Sequence, residues 1–304
     1  MKAEIIMIHS QASNNPTIDM KQTFLLEELS SLGISVHLNL LLKEDLNDLT
    51  RRLELAQNRS NLVLLVGTVS NSDKRMHKTL AQHLSRPLQK VCEGALYNDE
   101  KATYILLPGA PADLETIFNQ QTRTLIVDKL LIPYLTRHVK KLLKHQGKKI
   151  TVAESLTGGA FLKAISDEAG ASDIFEGGIV SYSNAVKHQV LGVRQLTIDR
   201  FGVVSAQCAI EMAEKSMIMF ESDISISLTG VAGPDSLEGE QAGTVWIGLA
   251  QKGKEAFAKK FHFNSTREGN RNASVQSALT LVQLLLLEEA IENKVYFNEK
   301  EKID

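Results

Sequence analysis

The chain has 304 residues, enough for two domains of ordinary size. Hydrophobic residues make up 43% and charged residues 23%, the composition of a soluble globular protein, and a formal net charge of -2 gives no electrostatic case for nucleic acid or an anionic membrane surface. The two cysteines, Cys92 and Cys208, stand far apart and outside any CxxC or Cys/His cluster, which argues against a disulfide framework and against zinc.

The opening residues do not read as a signal peptide, because Glu4 interrupts the first apolar stretch. The apolar run at 284–287 is far too short to span a bilayer. A reducing cytoplasm is the expected compartment.

The first half alternates strand-like and helix-like segments. Residues 5–8 predict a strand, 20–32 an amphipathic helix ended by Gly33, 34–42 a second strand and 46–58 a second helix. The continuous apolar run at 61–69 predicts a strand buried on both faces. Residues 103–107 predict another, running into a Pro-Gly-Ala-Pro turn at 108–111. This order predicts a doubly wound, mostly parallel sheet.

Residues 122–149 are mainly helical, with Pro133 starting or kinking a helix that Gly147 ends. The boundary is placed so that residues 1–127 form one domain and 128–296 a second α/β domain. The second half predicts strands at 149–153, 178–183 and 223–228, and a hairpin of 244–250 with 256–263 turning through Lys252, Gly253 and Lys254. Helices are predicted from about Gly158, from the capping Ser205 to about Phe220, and over 271–293, with a charged, frayed tail after Tyr296.

Several segments can carry chemistry. The string AESLTGG at 153–159 joins a strand to a helix, so it puts Ser155 and Thr157 at the carboxyl end of a strand, where open α/β sheets bind ligands. Gly158 and Gly159 let backbone approach a ligand, and N–H groups there can face a developing oxyanion. The purely structural reading is helix capping by Ser155 or Thr157. The string SYSNAVK at 181–187 follows a strand and enters a helix. A serine is a weak nucleophile until a neighbour takes its proton; a lysine desolvated below its usual pKa of about 10.4 can do so, and a tyrosine can relay. Alone, Tyr182 reads as packing and Lys187 as a surface charge.

SLTGVAGPD at 227–235 and GTVW at 243–246 are further small-residue segments at strand ends, including Thr229, Gly230, Ala232, Gly233 and Thr244. Turn formation is their plain explanation, but several at strand ends make a shared cleft more credible. Arg267 and Arg271 lie one helical turn apart, which suits a phosphate as well as a solvated charged face.

Taken together, TVAESLTGG, FEGGIVSYSNAVKHQVLGV, GVVS, SLTGVAGPD, GTVWIGLA and the two arginines resemble, in family order, the C-terminal domain of the competence/damage-inducible CinA family, which is similar to stand-alone nicotinamide-nucleotide amidases. The resemblance covers nearly all of 148–286 and implies a CinA-type α/β amidohydrolase domain. It implies hydrolysis of the carboxamide of nicotinamide mononucleotide to nicotinate mononucleotide and ammonia, with no metal or cofactor and with a homo-oligomeric enzyme. It casts Ser155 as nucleophile and Tyr182 and Lys187 as its activating partners. It puts Thr157, Gly158 and Gly159 beside the substrate and makes the 229–234 loop complete the pocket. Leu156 stands where many relatives have cysteine, a mild departure because that side chain need not do chemistry.

The first half resembles the family's molybdopterin-binding-like N-terminal domain through KAEIIMIHS, LSSLGISV, SNLVLLVG and TYILLPGAPADLE. It departs at the loops that hold ligand. Where the family has a Gly-Thr-Glu-Leu-Leu-type loop, residues 9–13 read HSQAS; where it has a Gly-rich loop and paired aspartates, residues 67–74 read GTVSNSDK. The stretch between Arg75 and Thr103 leaves no room for the small domain usual between the halves. A metal-bound diphosphate needs carboxylates for the ion and backbone donors for the phosphates, so this domain is expected to keep its fold without its pyrophosphatase-type site.

Two other classes compete. One is a non-catalytic interaction protein in competence or the DNA-damage response, which the altered first half allows and the complete Ser155, Tyr182, Lys187 set opposes. The other is a short-chain dehydrogenase, which pairs Ser, Tyr and Lys but sets Tyr and Lys one helical turn apart; Tyr182 and Lys187 are five apart, and no Gly-rich dinucleotide fingerprint follows the first strand.

Overall fold

A computed structural model describes residues 1–9, 16–43, 45–67, 89–91, 94–98, 102–107, 114–116, 118 and 122–287. The chain divides into two compact units, Met1–Ile126 and Val127–Asp304. Both are mixed α/β.

In the first unit, strands β1 (Lys2–His9), β2 (Ser35–Lys43), β3 (Leu62–Val66), β4 (Gln89–Val91), β5 (Gly94–Asn98) and β6 (Thr103–Leu107) form a sheet of order β2-β1-β3-β6-β5-β4. Its first four strands are parallel, as expected. β5 and β4 add on antiparallel beyond β6, an edge that short apolar runs do not announce. Helices α1 (Pro16–Ser31) and α2 (Leu46–Ala56) connect the parallel strands. Alternate residues explain the apolar runs. Ile6, Ile8, Val63, Leu65, Tyr104 and Leu106 share a core with Leu49, Leu53 and Ala56 of α2, while Ile5, Met7, Leu62, Leu64 and Ile105 are buried too. The altered 9–13 and 67–74 loops, the 108–111 turn and Cys92 lie wholly or largely outside the described residues, as does the tail after Tyr296.

A π-helical turn, Ile126–Leu131, runs across the division into α3 (Ile132–Gln146), which carries Pro133 in its first turn and ends on Gly147 at φ 63°, ψ 28°. Strands β7 (Ile150–Glu154), β8 (Phe175–Val180), β9 (Ile224–Gly230), β10 (Thr244–Gln251) and β11 (Phe257–His262) form a sheet of order β11-β10-β9-β7-β8. β7, β8 and β9 are mutually parallel where they meet, and the β10–β11 hairpin is antiparallel. Helices α4 (Ala160–Ser166), α5 (Asn184–Gln189), α6 (Gln195–Phe201), α7 (Ala206–Met219) and α8 (Arg267–Leu286) surround it. No helix among the described residues is long and apolar enough to cross a membrane.

Among the departures from predicted bounds, α1 begins at Pro16 rather than 20. β8 covers 175–180 rather than 178–183: Phe175 pairs with Ile150, while Ser183 caps α5 and turns residues 181–183 out of the sheet. Its glycines hid it from an apolar pattern, yet Gly178 is needed, because a Cβ there would lie 2.7 Å from Leu162 Cδ2 and from Val152 O. α8 begins at Arg267 rather than 271, since Thr266 caps it by accepting from Gly269 N. α6 carries no periodic signal long enough to read.

α7 lies directly on β9 and β10. Ser227 Oγ donates to Ala209 O at 2.5 Å and accepts from Gly248 N at 3.2 Å, so one buried hydroxyl ties the helix to two strands. A Cβ on Gly248 would sit 2.3 Å from Ala209 O, a backbone atom that cannot swing away. Gly248→Ala is therefore expected to destabilise the folded chain by about 3 kcal/mol, the upper end for overpacking. Urea denaturation checks it; a midpoint equal to that of the parent chain would mean that the helix shifts freely.

Candidate active site

β7, β8 and β9 run parallel, so their carboxyl ends fall on one edge of the sheet, and the antiparallel β10 starts there. That topology gathers the turn after β7, the 181–187 segment, the 231–243 loop and Thr244. Ser155 and Thr157 are buried in the first of these, Ser155 at 9% exposure.

Lys187, on α5, is 1% exposed, and its Nζ lies 3.0 Å from Ser155 Oγ. The same nitrogen donates to Ser181 O at 2.8 Å and, at 3.5 Å, to Tyr182 O. Nζ thus donates to two carbonyls and to the serine hydroxyl. Burial holds the Lys187 pKa below the usual lysine value. Cys208, buried beneath this group, has its thiol pushed up to about 12, chiefly by desolvation, so it stays protonated and inert.

Tyr182 is placed differently from Lys187. Its side chain is 61% exposed, and its hydroxyl accepts from Arg267 Nη2 at 3.3 Å. Arg267 Nη1 donates to Gly233 O at 2.6 Å, and Asn270 Nδ2 to Ala232 O at 3.0 Å. Arg271 Nη2 donates to Thr157 O at 2.5 Å. The first turn of α8 thus grips both the 155–159 turn and the 231–235 segment. Gly158, at φ 59°, allows this closeness, since a Cβ there would lie 3.2 Å from Arg271 Nη2. The Thr229 hydroxyl donates to Val203 O at 2.6 Å, so this residue and Gly230 contribute wall rather than a free donor.

Glycine at 159, with φ 96°, occupies the N-cap of α4 and supplies no side-chain cap. Neither Ser155 nor Thr157 caps that helix. Glu154 does, a residue that the sequence reading passed over: fully buried, it accepts from Gly159 N and Phe161 N with one oxygen and from Leu162 N with the other. A carboxylate beside a helix start is a legible capping signal, but here it sits before the turn rather than at the usual cap position. Among the described residues the N–H groups of Leu156 and Thr157 have no acceptor, and Thr157 Oγ1 and Arg271 Nε are buried without partners. These groups face the same turn as Ser155.

The 231–243 loop closes on itself: Val231 N donates to Thr244 O at 2.8 Å and Gly243 N to Val231 O at 2.7 Å. Glu238, in its exposed part, accepts from Val203 N at 2.7 Å and Val204 N at 3.3 Å.

Comparison with known proteins adds the following. A competence-damage inducible protein of Levilactobacillus brevis is 28% identical over 405 aligned positions, covering 92% of this chain and 97% of the relative. About 280 residues of this chain take part in that alignment, so about 125 of its 405 positions are ones that the relative has and this chain lacks. A protein of the same description from Limosilactobacillus reuteri is 47% identical over 150 residues, 49% of this chain and 36% of the relative. The crystal structure of a CinA superfamily protein from Klebsiella pneumoniae 700603 matches 52% of this chain and 98% of its own, at 30% identity and a TM-score of 0.51. Residues 133–286 match the family described as the CinA C-terminal domain, so half of the chain, including every residue of the site above, falls within it, and the chain belongs to the CinA family.

Proposed function

We propose that the second unit hydrolyses the carboxamide of nicotinamide mononucleotide, releasing nicotinate mononucleotide and ammonia. The observation that carries this reading is the 3.0 Å approach of the buried Lys187 Nζ to Ser155 Oγ. A buried lysine with no carboxylate in hydrogen-bonding contact among the described residues is suited, once neutral, to take a proton.

In this mechanism Ser155 Oγ attacks the carboxamide carbon while its proton passes to Lys187 Nζ. The carbonyl oxygen gains the negative charge, which the N–H groups of Leu156 and Thr157 stabilise. Lys187 returns the proton to the amide nitrogen, and the C–N bond breaks to release ammonia and leave an ester on Ser155. Water, deprotonated by Lys187, then cleaves the ester. Tyr182 is not the base in this scheme; its hydroxyl serves Arg267, and the exposed ring borders the entrance. Arg267 and Arg271 supply the positive charge for the substrate phosphate, at the cost of loosening contacts to Gly233 and Thr157. No step calls on a metal.

Incubation of the protein with nicotinamide mononucleotide, following ammonia and nicotinate mononucleotide, tests the proposal, with Ser155→Ala as control. No release of either product would favour the interaction-protein reading instead.

For the first unit we propose a retained fold without diphosphate hydrolysis. The loop at 9–13 has no glycine to let phosphate approach backbone, and 67–74 offers a single carboxylate, Asp73, beside Lys74. The full chain is expected to release no product from ADP-ribose with magnesium, manganese or cobalt present, as followed by chromatography. Metal-dependent turnover would overturn this reading of the two loops.

A further inference from the structure

We infer that Glu154 is a positioning residue for the chemistry at Ser155, setting both the turn that follows the nucleophile and the carbonyl that holds its base. The inference rests on the amidase reading above and goes beyond it by naming what keeps the site in shape.

Glu154 is the last residue of β7, and its side chain is fully buried. A carboxylate in that position is costly unless its oxygens are satisfied. Here the partners are backbone groups: Leu162 N at 2.7 Å, Gly159 N at 3.0 Å and Phe161 N at 3.2 Å. No ion pair to Glu154 occurs among the described residues. The three donors lie just beyond the 155–158 turn, so the carboxylate clamps the far end of that turn back onto the strand it left. The turn then bulges away from Glu154, and its two middle N–H groups, Leu156 and Thr157, are left without acceptors among the described residues. A smaller cap such as serine at 159 would satisfy the helix but would not draw the turn back to β7.

The main chain of the same residue reaches the other half of the site. Glu154 O accepts from Ser181 N at 2.8 Å and from Ser181 Oγ at 3.3 Å. The carbonyl of that serine takes the 2.8 Å bond from Lys187 Nζ. Residue 154 therefore sits between nucleophile and base in one chain of contacts: turn, carboxylate, strand, Ser181, Lys187, Ser155. Pure helix stabilisation would explain the side-chain bonds but would not require N–H groups without acceptors in the turn.

Glu154→Gln is nearly isosteric and tests this. Its amide nitrogen must replace one carboxylate oxygen, so at least one of the three N–H groups meets a donor. The expected result is a fall in kcat of about tenfold to a hundredfold on nicotinamide mononucleotide, with KM changed less, because Arg267 is held by Gly233 O and not by the turn. A second readout does not depend on the substrate: labelling of Ser155 by a fluorophosphonate, followed by mass spectrometry, should slow in parallel. A purely structural role would lower the melting temperature and leave both rates of the folded enzyme unchanged, and that result overturns the inference. Glu154→Asp, which keeps the charge but falls one methylene short, should give intermediate rates; it serves if the glutamine variant does not fold. If neither variant folds, Glu154 is a stability residue and the inference fails. Should the parent protein label at Ser155 without turning over nicotinamide mononucleotide, the substrate reading fails while the labelling rates still decide the role of Glu154. A parent protein that neither labels nor turns over removes both.

Discussion

Ser155→Ala is expected to lower kcat for nicotinamide mononucleotide by at least about 10³-fold, with KM little changed. The substitution removes a single oxygen at a position that is already closed to solvent, so the fold should survive it. What disappears is the covalent route. The donors of the turn and the arginines remain, so residual hydrolysis by water attacking directly sets the floor. Steady-state ammonia release measures the loss, and a circular dichroism melt equal to the parent's shows that it is chemical. Activity within tenfold of the parent would remove Ser155 from the mechanism.

Lys187→Met should lower kcat by about 10² to 10⁴-fold, the usual contribution of a positioned general base. The parent enzyme should show kcat/KM rising with pH as Lys187 loses its proton, levelling off below the ordinary lysine pKa of about 10.4, because burial lowers the folded value. The methionine variant should lose that limb. Stability moves the other way. The unfolded chain holds the lysine proton up to about pH 10.4, while the folded chain releases it earlier, so the contribution of Lys187 to stability is complete above the unfolded value. It is lost as pH falls through the lowered folded value. The variant should therefore gain in melting temperature relative to the parent as pH is lowered. A pH-independent difference in melting, with the activity limb intact in the variant, would mean that Lys187 does not titrate in the working range.

The fold was legible where burial is symmetric. Residues 62–66 are apolar throughout and 103–107 are so apart from the buried Thr103, because both faces of those strands are covered, and such runs need little periodicity to be read. β8 was misplaced because Gly177 and Gly178 report close packing by what they lack, and only the positions of Leu162 and Val152 reveal the need. Ser155 and Lys187 stood out through the family resemblance of their segments, since alone one reads as a helix cap and the other as a surface charge. Tyr182 was grouped with them by motif, and its hydroxyl turned toward Arg267 instead; spacing along the chain says nothing of which way a ring points. Glu154 escaped notice because a glutamate beside a serine looks like surface, and its burial depends on where β8, α4 and β9 come to lie. Asn270 escaped for the same reason: its 1% exposure and its bond to Ala232 O are products of the packing of α8.

The pinched base of the 231–243 loop bears on how this site can change over generations. Bonds between Val231 and the 243–244 pair seal the loop off from β9 and β10, so strain introduced at its tip ends at the pinch. Closing a flexible loop of twice the length costs only about 0.6 kcal/mol more in chain entropy. Insertions between Pro234 and Gln241 are accordingly cheap for the sheet, yet they fall on the segment that holds Gly233 against Arg267 and Glu238 against Val203. The loop can change length there by insertion and deletion while Ser155 and Lys187 stay where they are.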